Sequence, residues 1–287
     1  MRPPKSPMLR DLLLPLTGTA GDPDALSFAI DLAAAHRAHL TVAVPLDLPL
    51  PLVTPWGLTP EAMMVEQFPR LREDAEARAA SVRERLARED VAWDVRVDEA
   101  RYVDPARAMA RNARYVDLCV VPAPRRGADD NDVAHAYFSA ALFESGRPVL
   151  VVPEGAKAPK KFERILVAWH PTREATRALH DALGLVAAGA MLDVTVVDPV
   201  EGDGLHGEEP GADIAAHLAR HACKVTVHRQ QTAGQSVATR LLLHADHVDA
   251  HLVVAGGYGH SRMREWMLGG TTRDLLAGTR IPLLFSH

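Results

Sequence analysis

The sequence predicts an α/β protein in which one parallel β–α plan is used twice. Three observations carry this. Apolar, β-branched runs alternate with longer helix-like segments along the 287 residues, the pattern of β–α–β units. The runs are almost continuously apolar, as strands buried on both faces are. Five runs in the first half are answered by five in the second.

In order, the first-half runs are "LLLPL" (12–16), "LTVAV" (40–44), "WDVRV" (93–97), "DLCVV" (117–121) and "PVLVV" (148–152). The second-half runs are "ILVAW" (165–169), "LDVTVV" (192–197), "VTVHR" (225–229), "HLVVA" (251–255) and "PLLF" (282–285). Leu12 and Ile165 are 153 residues apart, and Leu40 and Leu192 are 152 apart. Trp93 and Val225 are 132 apart, as are Asp117 and Asp249. The offset falls once, between the second and third strands, so the first copy carries one extra segment. The words agree as well: "YVDLCVVPA" echoes "HVDAHLVVAG".

Helix signals fill the gaps. "DPDALSFAIDLAAAHRA" begins with Asp22 as a candidate N-cap and Pro23 at the first helical position. The segment 61–90 reads as a long amphipathic helix, interrupted near Pro69. "TREATRALHDALGLVAAG" opens on Thr172 and is expected to close at Gly189. The Pro-, Gly- and Lys-rich "PEGAKAPKKFE" reads as the linker, giving expected domains 1–157 and 158–287. The extra segment at 45–60 holds five prolines and is expected to lack regular structure, packed as a surface crossover by its leucines and Trp56.

Composition excludes several classes. A net charge of −5 gives no general basic face for nucleic acid or an anionic membrane. No run approaches the roughly 18 apolar residues that span a bilayer. Cys119 and Cys223 stand far apart, with no disulfide or metal spacing. A cytoplasmic protein is expected.

The stretch "GGYGHSRMREWMLGGTT" (256–272) follows the fourth strand of the second copy. In doubly wound sheets, ligands bind outside the carboxyl ends of the strands. Glycines there let backbone approach a ligand, and free N–H groups at the next helix start attract phosphate. There is no P-loop, no serine-hydrolase elbow and no complete G-x-G-x-x-G.

The spacing Gly256-x2-Gly259-x9-Gly269, after a parallel strand and before a short helix, resembles the phosphate-binding signature of the universal stress protein family. "RILVAWHPTREATRAL" is similar to that family's first strand and helix. The resemblance covers both copies. It implies two flavodoxin-like (adenine nucleotide alpha hydrolase-like) domains, each a five-stranded parallel sheet of order 3-2-1-4-5 with four helices on both faces. It also implies an internal pseudo-dimer packed through the last strands, with further assembly into a homodimer left open.

For the site, the resemblance implies that Ala168, Trp169 and His170 line the adenine and ribose pocket and that Val197 packs on the base. Ala255, Gly256 and Gly259 would meet ribose and the first phosphates, and Gly269, Gly270 and Thr271 the outer ones. His260, Arg262 and Thr272 are further candidate phosphate contacts. The implied ligand is ATP, ADP or AMP, with or without Mg²⁺. Two positions depart from the family pattern: His170 stands where nucleotide binders usually carry Asp, and Gly270 where a hydroxyl residue is expected.

The first copy lacks the signature. "PAPRRGADDND" puts Pro122 and Pro124 where N–H donors would be needed and adds Asp129, Asp130 and Asp132, which repel phosphate. No nucleotide is expected there. In "HADHVDAH", His244, His247 and His251 have helical spacing that suits zinc, but His251 belongs with the next strand, so no metal is assigned. No carboxylate is placed as a general base, and no catalytic residue is assigned. The expected function is an adenine-nucleotide-binding regulator acting on a protein partner. The alternatives are a partner-binding module without nucleotide and, third, a slow ATP hydrolase.

Overall fold

The computed structural model describes residues 9–48, 53–54, 57–58, 68–101, 103–125, 129–199, 208–257 and 270–287. The first half contributes strands β1 (Asp11–Pro15), β2 (His39–Leu48), β3 (Ala92–Arg101), β4 (Leu118–Pro122) and β5 (Val149–Val152). Its helices are α1 (Asp22–His36), α2 (Phe68–Leu86), α3 (Pro105–Ala113) and α4 (Asn131–Glu144). The second half contributes β6 (Phe162–Ala168), β7 (Val186–Val197), β8 (Lys224–Gln230), β9 (Leu252–Gly256) and β10 (Leu283–Ser286). Its helices are α5 (Arg173–Ala182), α6 (Ala212–Arg220), α7 (Val237–His247) and α8 (Gly270–Gly278).

All ten strands join one sheet, in the order β8-β7-β6-β9-β10-β5-β4-β1-β2-β3. Each half therefore has the order 3-2-1-4-5, and within each half every pairing is parallel. The seam is antiparallel: Leu283 faces Val151, Leu284 faces Leu150 and Phe285 faces Val149. The carboxyl ends of the two sets of strands thus point to opposite edges of the sheet.

Burial follows position. The strands nearest the seam are buried throughout, whereas edge strand β8 alternates between exposed and half-buried residues. One core layer holds Phe28 of α1, Ala75 of α2, Leu179 of α5 and Leu218 of α6. The other holds Met109 of α3, Phe138 of α4, Leu241 of α7 and Leu275 of α8. Equivalent helices of the two halves share a face, so the halves are related by a pseudo-twofold axis normal to the sheet. Phe138 meets Phe285 edge-on across the seam, with ring centroids 5.4 Å apart.

Several local expectations are corrected. Asp22 is the first residue of α1, behind an N-cap at Gly21, and its carboxylate turns back to the loop before the helix. Helix α5 ends at Ala182, and Gly189 lies inside β7 with φ 80°. Residues 45–48 continue β2 against β3 despite Pro45. The β2–β1 pairing ends at Ala43, so the missing N–H of Pro45 costs no bond on that side. A short antiparallel ladder pairs Val53–Thr54 with Gly57–Leu58; Trp56 lies outside the described residues. The repeat needs a second adjustment too: the register equates Leu118 with Leu252, which are 134 residues apart, because Leu118 pairs Leu12 as Leu252 pairs Ile165.

Candidate functional site

At the carboxyl edge of the second half, β6, β7 and β9 end side by side. Ala168 closes β6 beside Ala255 of β9. Trp169 extends the ladder by donating its N–H to Thr195 O at 2.9 Å. Val197 closes β7, half-buried against the α7–α8 core layer. His170 is exposed, and its carbonyl accepts from Thr172 N at 2.7 Å. The Thr172 hydroxyl then caps α5 by accepting from Ala175 N at 3.3 Å. Small residues at the strand ends (Ala168, Ala255, Gly256) leave a floor with little side chain above it, which suits a flat ligand.

Gly256 has a steric reason of its own. A Cβ there would sit 2.4 Å from Ala175 N and 2.8 Å from Glu174 C. The first turn of α5 lies directly on the strand end, and only glycine permits that approach. Gly270 differs: a Cβ would meet nothing within 4 Å. Gly270 and Thr271 are exposed at the start of α8, whereas Thr272 turns inward at 5% exposure. The structure thus brings together Ala168, Trp169, His170, Val197, Ala255 and Gly256 along one edge. Gly259, His260, Arg262 and Gly269 lie outside the described residues, as do Tyr258, Arg264 and Trp266.

The corresponding edge of the first half is built differently. The Asp22 carboxylate accepts from Thr17 N at 3.0 Å, the Thr17 hydroxyl at 2.7 Å and Gly18 N at 2.8 Å. Asp130 accepts from Ala20 N at 2.9 Å. Three backbone donors of this loop, the N–H groups of Thr17, Gly18 and Ala20, are thus taken by the chain's own carboxylates rather than left for an anion. Arg125 is paired with Glu154 at 2.7 Å. Beside this loop lies a cavity of about 620 Å³, with Asp47, Asp74, Asp104, Arg78 and Tyr137 among its lining. Burial, then the charges of Asp104, Asp22 and Asp47, push the Tyr137 phenol up. Three carboxylates to one guanidinium make this a poor site for phosphate.

Sequence reasoning missed both carboxylate plugs and this cavity. The signals were Asp130, read only as an acid that repels phosphate, and an Asp directly before Pro23, which also fits an N-cap. Cys119 is buried, and desolvation pushes its thiol up to about 12, which leaves it inert as a nucleophile. No helix among the described residues is long and apolar enough to cross a membrane.

Residues 161–287 match the model of the Universal stress protein family. A universal stress protein from Archaeoglobus fulgidus superposes with a TM-score of 0.70 at 17% identity, covering 96% of this chain and 94% of that one. A protein of unknown function from Pseudomonas aeruginosa superposes at 0.54 and 16% identity, covering 96% and 92%. These likenesses extend the shared fold over both halves. No curated protein sequence matches the chain.

Proposed function

We propose that this chain, which carries a universal stress protein domain at residues 161–287, is a cytoplasmic regulator that binds an adenine nucleotide in its second half alone. We take 1–157 and 158–287 as its two units. The single observation that carries the reading is the G-x2-G-x9-G spacing that follows β9 and runs into α8. It joins a strand end to a helix start, the arrangement that offers phosphate free N–H groups and a favourable dipole. Ala168, Trp169, His170 and Val197 would hold base and ribose. Ala255, Gly256 and Gly259 would meet ribose and the inner phosphates, and Gly269, Gly270 and Thr271 the outer ones.

The packing of Gly256 refines its share. Its lack of a side chain seats α5 against the strand end, so its part in binding is to set the floor on which the ligand lies. ATP, ADP or AMP, with Mg²⁺ on the phosphates where they are charged enough to need it, would bias the conformation or assembly of the chain and thereby a protein partner.

The experiment is direct. The purified protein is denatured in acid and the released small molecules are separated by chromatography, with calorimetric titration of ATP and AMP alongside. An adenine nucleotide in the supernatant, or saturable heat, is the expected result. No nucleotide released and no heat at millimolar ligand overturns the proposal. One observation favours a second reading, a partner-binding module without nucleotide: His170 and Gly270 both replace groups that bond the ligand in the family's binders.

A further inference from the structure

On the face of the second half covered by α7 and α8, three metal-binding side chains converge from three elements. Asp193 stands on β7, His228 on β8 and His244 on α7, and their ligand atoms all lie within 4.8 Å of one another. The strand register explains the meeting. Asp193 pairs with Thr226, so His228, two residues on, projects from the same face of the sheet. His244 descends from α7 onto that face, its ring centroid 4.5 Å from that of His228. His228 Nε2 and Asp193 Oδ1 are 2.8 Å apart, a hydrogen bond.

His244 carries the argument further. It is 8% exposed, and its Nε2 is buried with no hydrogen-bond partner. A buried polar atom without a partner is rare and costly. A second such atom sits beside it. Thr195 is the register partner of His228 and shares the face of Asp193, and its hydroxyl is likewise buried and without a partner. Two orphaned polar atoms at one place point to a further group that binds there.

We propose that Asp193, His228 and His244 form a binding site for a divalent transition-metal cation, with Zn²⁺ the best match. Two imidazoles and one carboxylate suit Zn²⁺ and its neighbours, whereas Mg²⁺ and Ca²⁺ call for oxygen ligands. Bond lengths of about 2.0–2.2 Å around a tetrahedral ion set ligand separations of about 3.3–3.6 Å. The Asp193–His228 pair therefore opens by about half an ångström, and His244 closes in. Water takes the fourth position, reached from the His228 side, where that ring is 35% exposed. Desolvation, then the neighbouring His228, lowers the His244 pKa and keeps its ring in the neutral, ligating form. Arg240, one turn earlier on α7, opposes a cation, and the Asp193 carboxylate offsets it. The site lies below the strand-end edge: Asp193 is four residues before Val197, about 13 Å along β7, and His228 is level with Thr195, about 7 Å before it.

It also differs from the sequence reading of "HADHVDAH". His247 is exposed, 6.3 Å in ring centroid from His244, and His251 lies across from Glu163. A separate exposed pair, His180 and His217, places Nε2 atoms 3.2 Å apart on the opposite face and serves as a control.

The test uses the full chain, stripped with chelator and titrated with Zn²⁺ against a chromogenic competitor. One site per chain is expected. Asp193→Asn and His244→Gln each weaken it by about tenfold or more, while His217→Ala leaves it unchanged. Co²⁺ should give a visible absorption band that Asp193→Asn removes. Should His244→Gln fail to fold, Asp193→Asn and the Co²⁺ spectrum decide the matter. Wild-type affinity no tighter than that of Asp193→Asn, or binding that His217→Ala abolishes, overturns the site.

Discussion

The two halves share strand order, helix placement and core layers, yet they solve one contact in opposite ways. In the second half the glycine is on the strand: Gly256 lets the first turn of α5 rest against β9. In the first half it is on the helix side. Pro122 ends β4 at the position equivalent to Gly256, and Gly21 before α1 makes room for it, since a Cβ at Gly21 would lie 2.7 Å from the Pro122 Cβ. Pro122 also removes a backbone donor from the very edge where an anion would need one. Around it, Asp22 and Asp130 accept from the backbone donors of Thr17, Gly18 and Ala20. The same contact is kept by exchanging the small residue between strand and helix, while the strand-end loop of the first half is bonded to carboxylates of its own chain.

The largest expected effect tests whether the halves are one folding unit. Phe285 is wholly buried at the seam and meets Phe138 of the other half. Phe285→Ala should cost about 3–5 kcal/mol. Urea unfolding followed by probes in each half should show both halves losing stability together. A loss confined to the second half would separate them.

Next come the exchanged glycines. Gly256→Ala and Gly21→Ala should each destabilise by about 1–3 kcal/mol through overpacking. Gly256→Ala should be the worse, because it strikes the main chain of α5 whereas Gly21→Ala strikes a proline ring. Thermal unfolding of both variants gives the order, and the reverse order would break the comparison.

The smallest effect concerns the Asp22 plug. Burial pushes the Asp22 carboxyl above 3.8, against the opposing pull of its bonds to Thr17 and Gly18 and of the Arg78 charge. Between 3.8 and the raised folded value, the native state binds more proton than the unfolded chain. Stability therefore falls as pH rises through that window, and returns as pH falls. Asp22→Asn should flatten this slope in urea midpoints measured across acid pH; an unchanged slope would assign the titration elsewhere.

Much of this was legible in the sequence. The ten apolar runs mark the ten strands of the large sheet because a sheet covered on both faces leaves them little polar side. The strand order and the seam came with the family resemblance, since alternation alone does not order strands. Helix ends were harder. Gly189 looked like a helix stop, but the chain leaves α5 at Ala182 and enters β7 before reaching it. Asp22 looked like a cap because an Asp before proline fits one, and its partners Thr17 and Gly18, though near in sequence, meet it only because the loop after β1 folds back onto the start of α1. Asp193, His228 and His244 could not be grouped at all from spacing, because they meet only through the β7–β8 register and the descent of α7.

The central claim is that nucleotide binds in the second half alone, and a calorimetric titration of ATP into three proteins tests it most directly. The wild type should bind one ATP per chain. Gly259→Trp, which fills the phosphate stretch, should bind none. Asp47→Arg, which reverses a charge on the first-half cavity, should bind as the wild type does. Binding that survives Gly259→Trp, or that Asp47→Arg abolishes, would contradict the account.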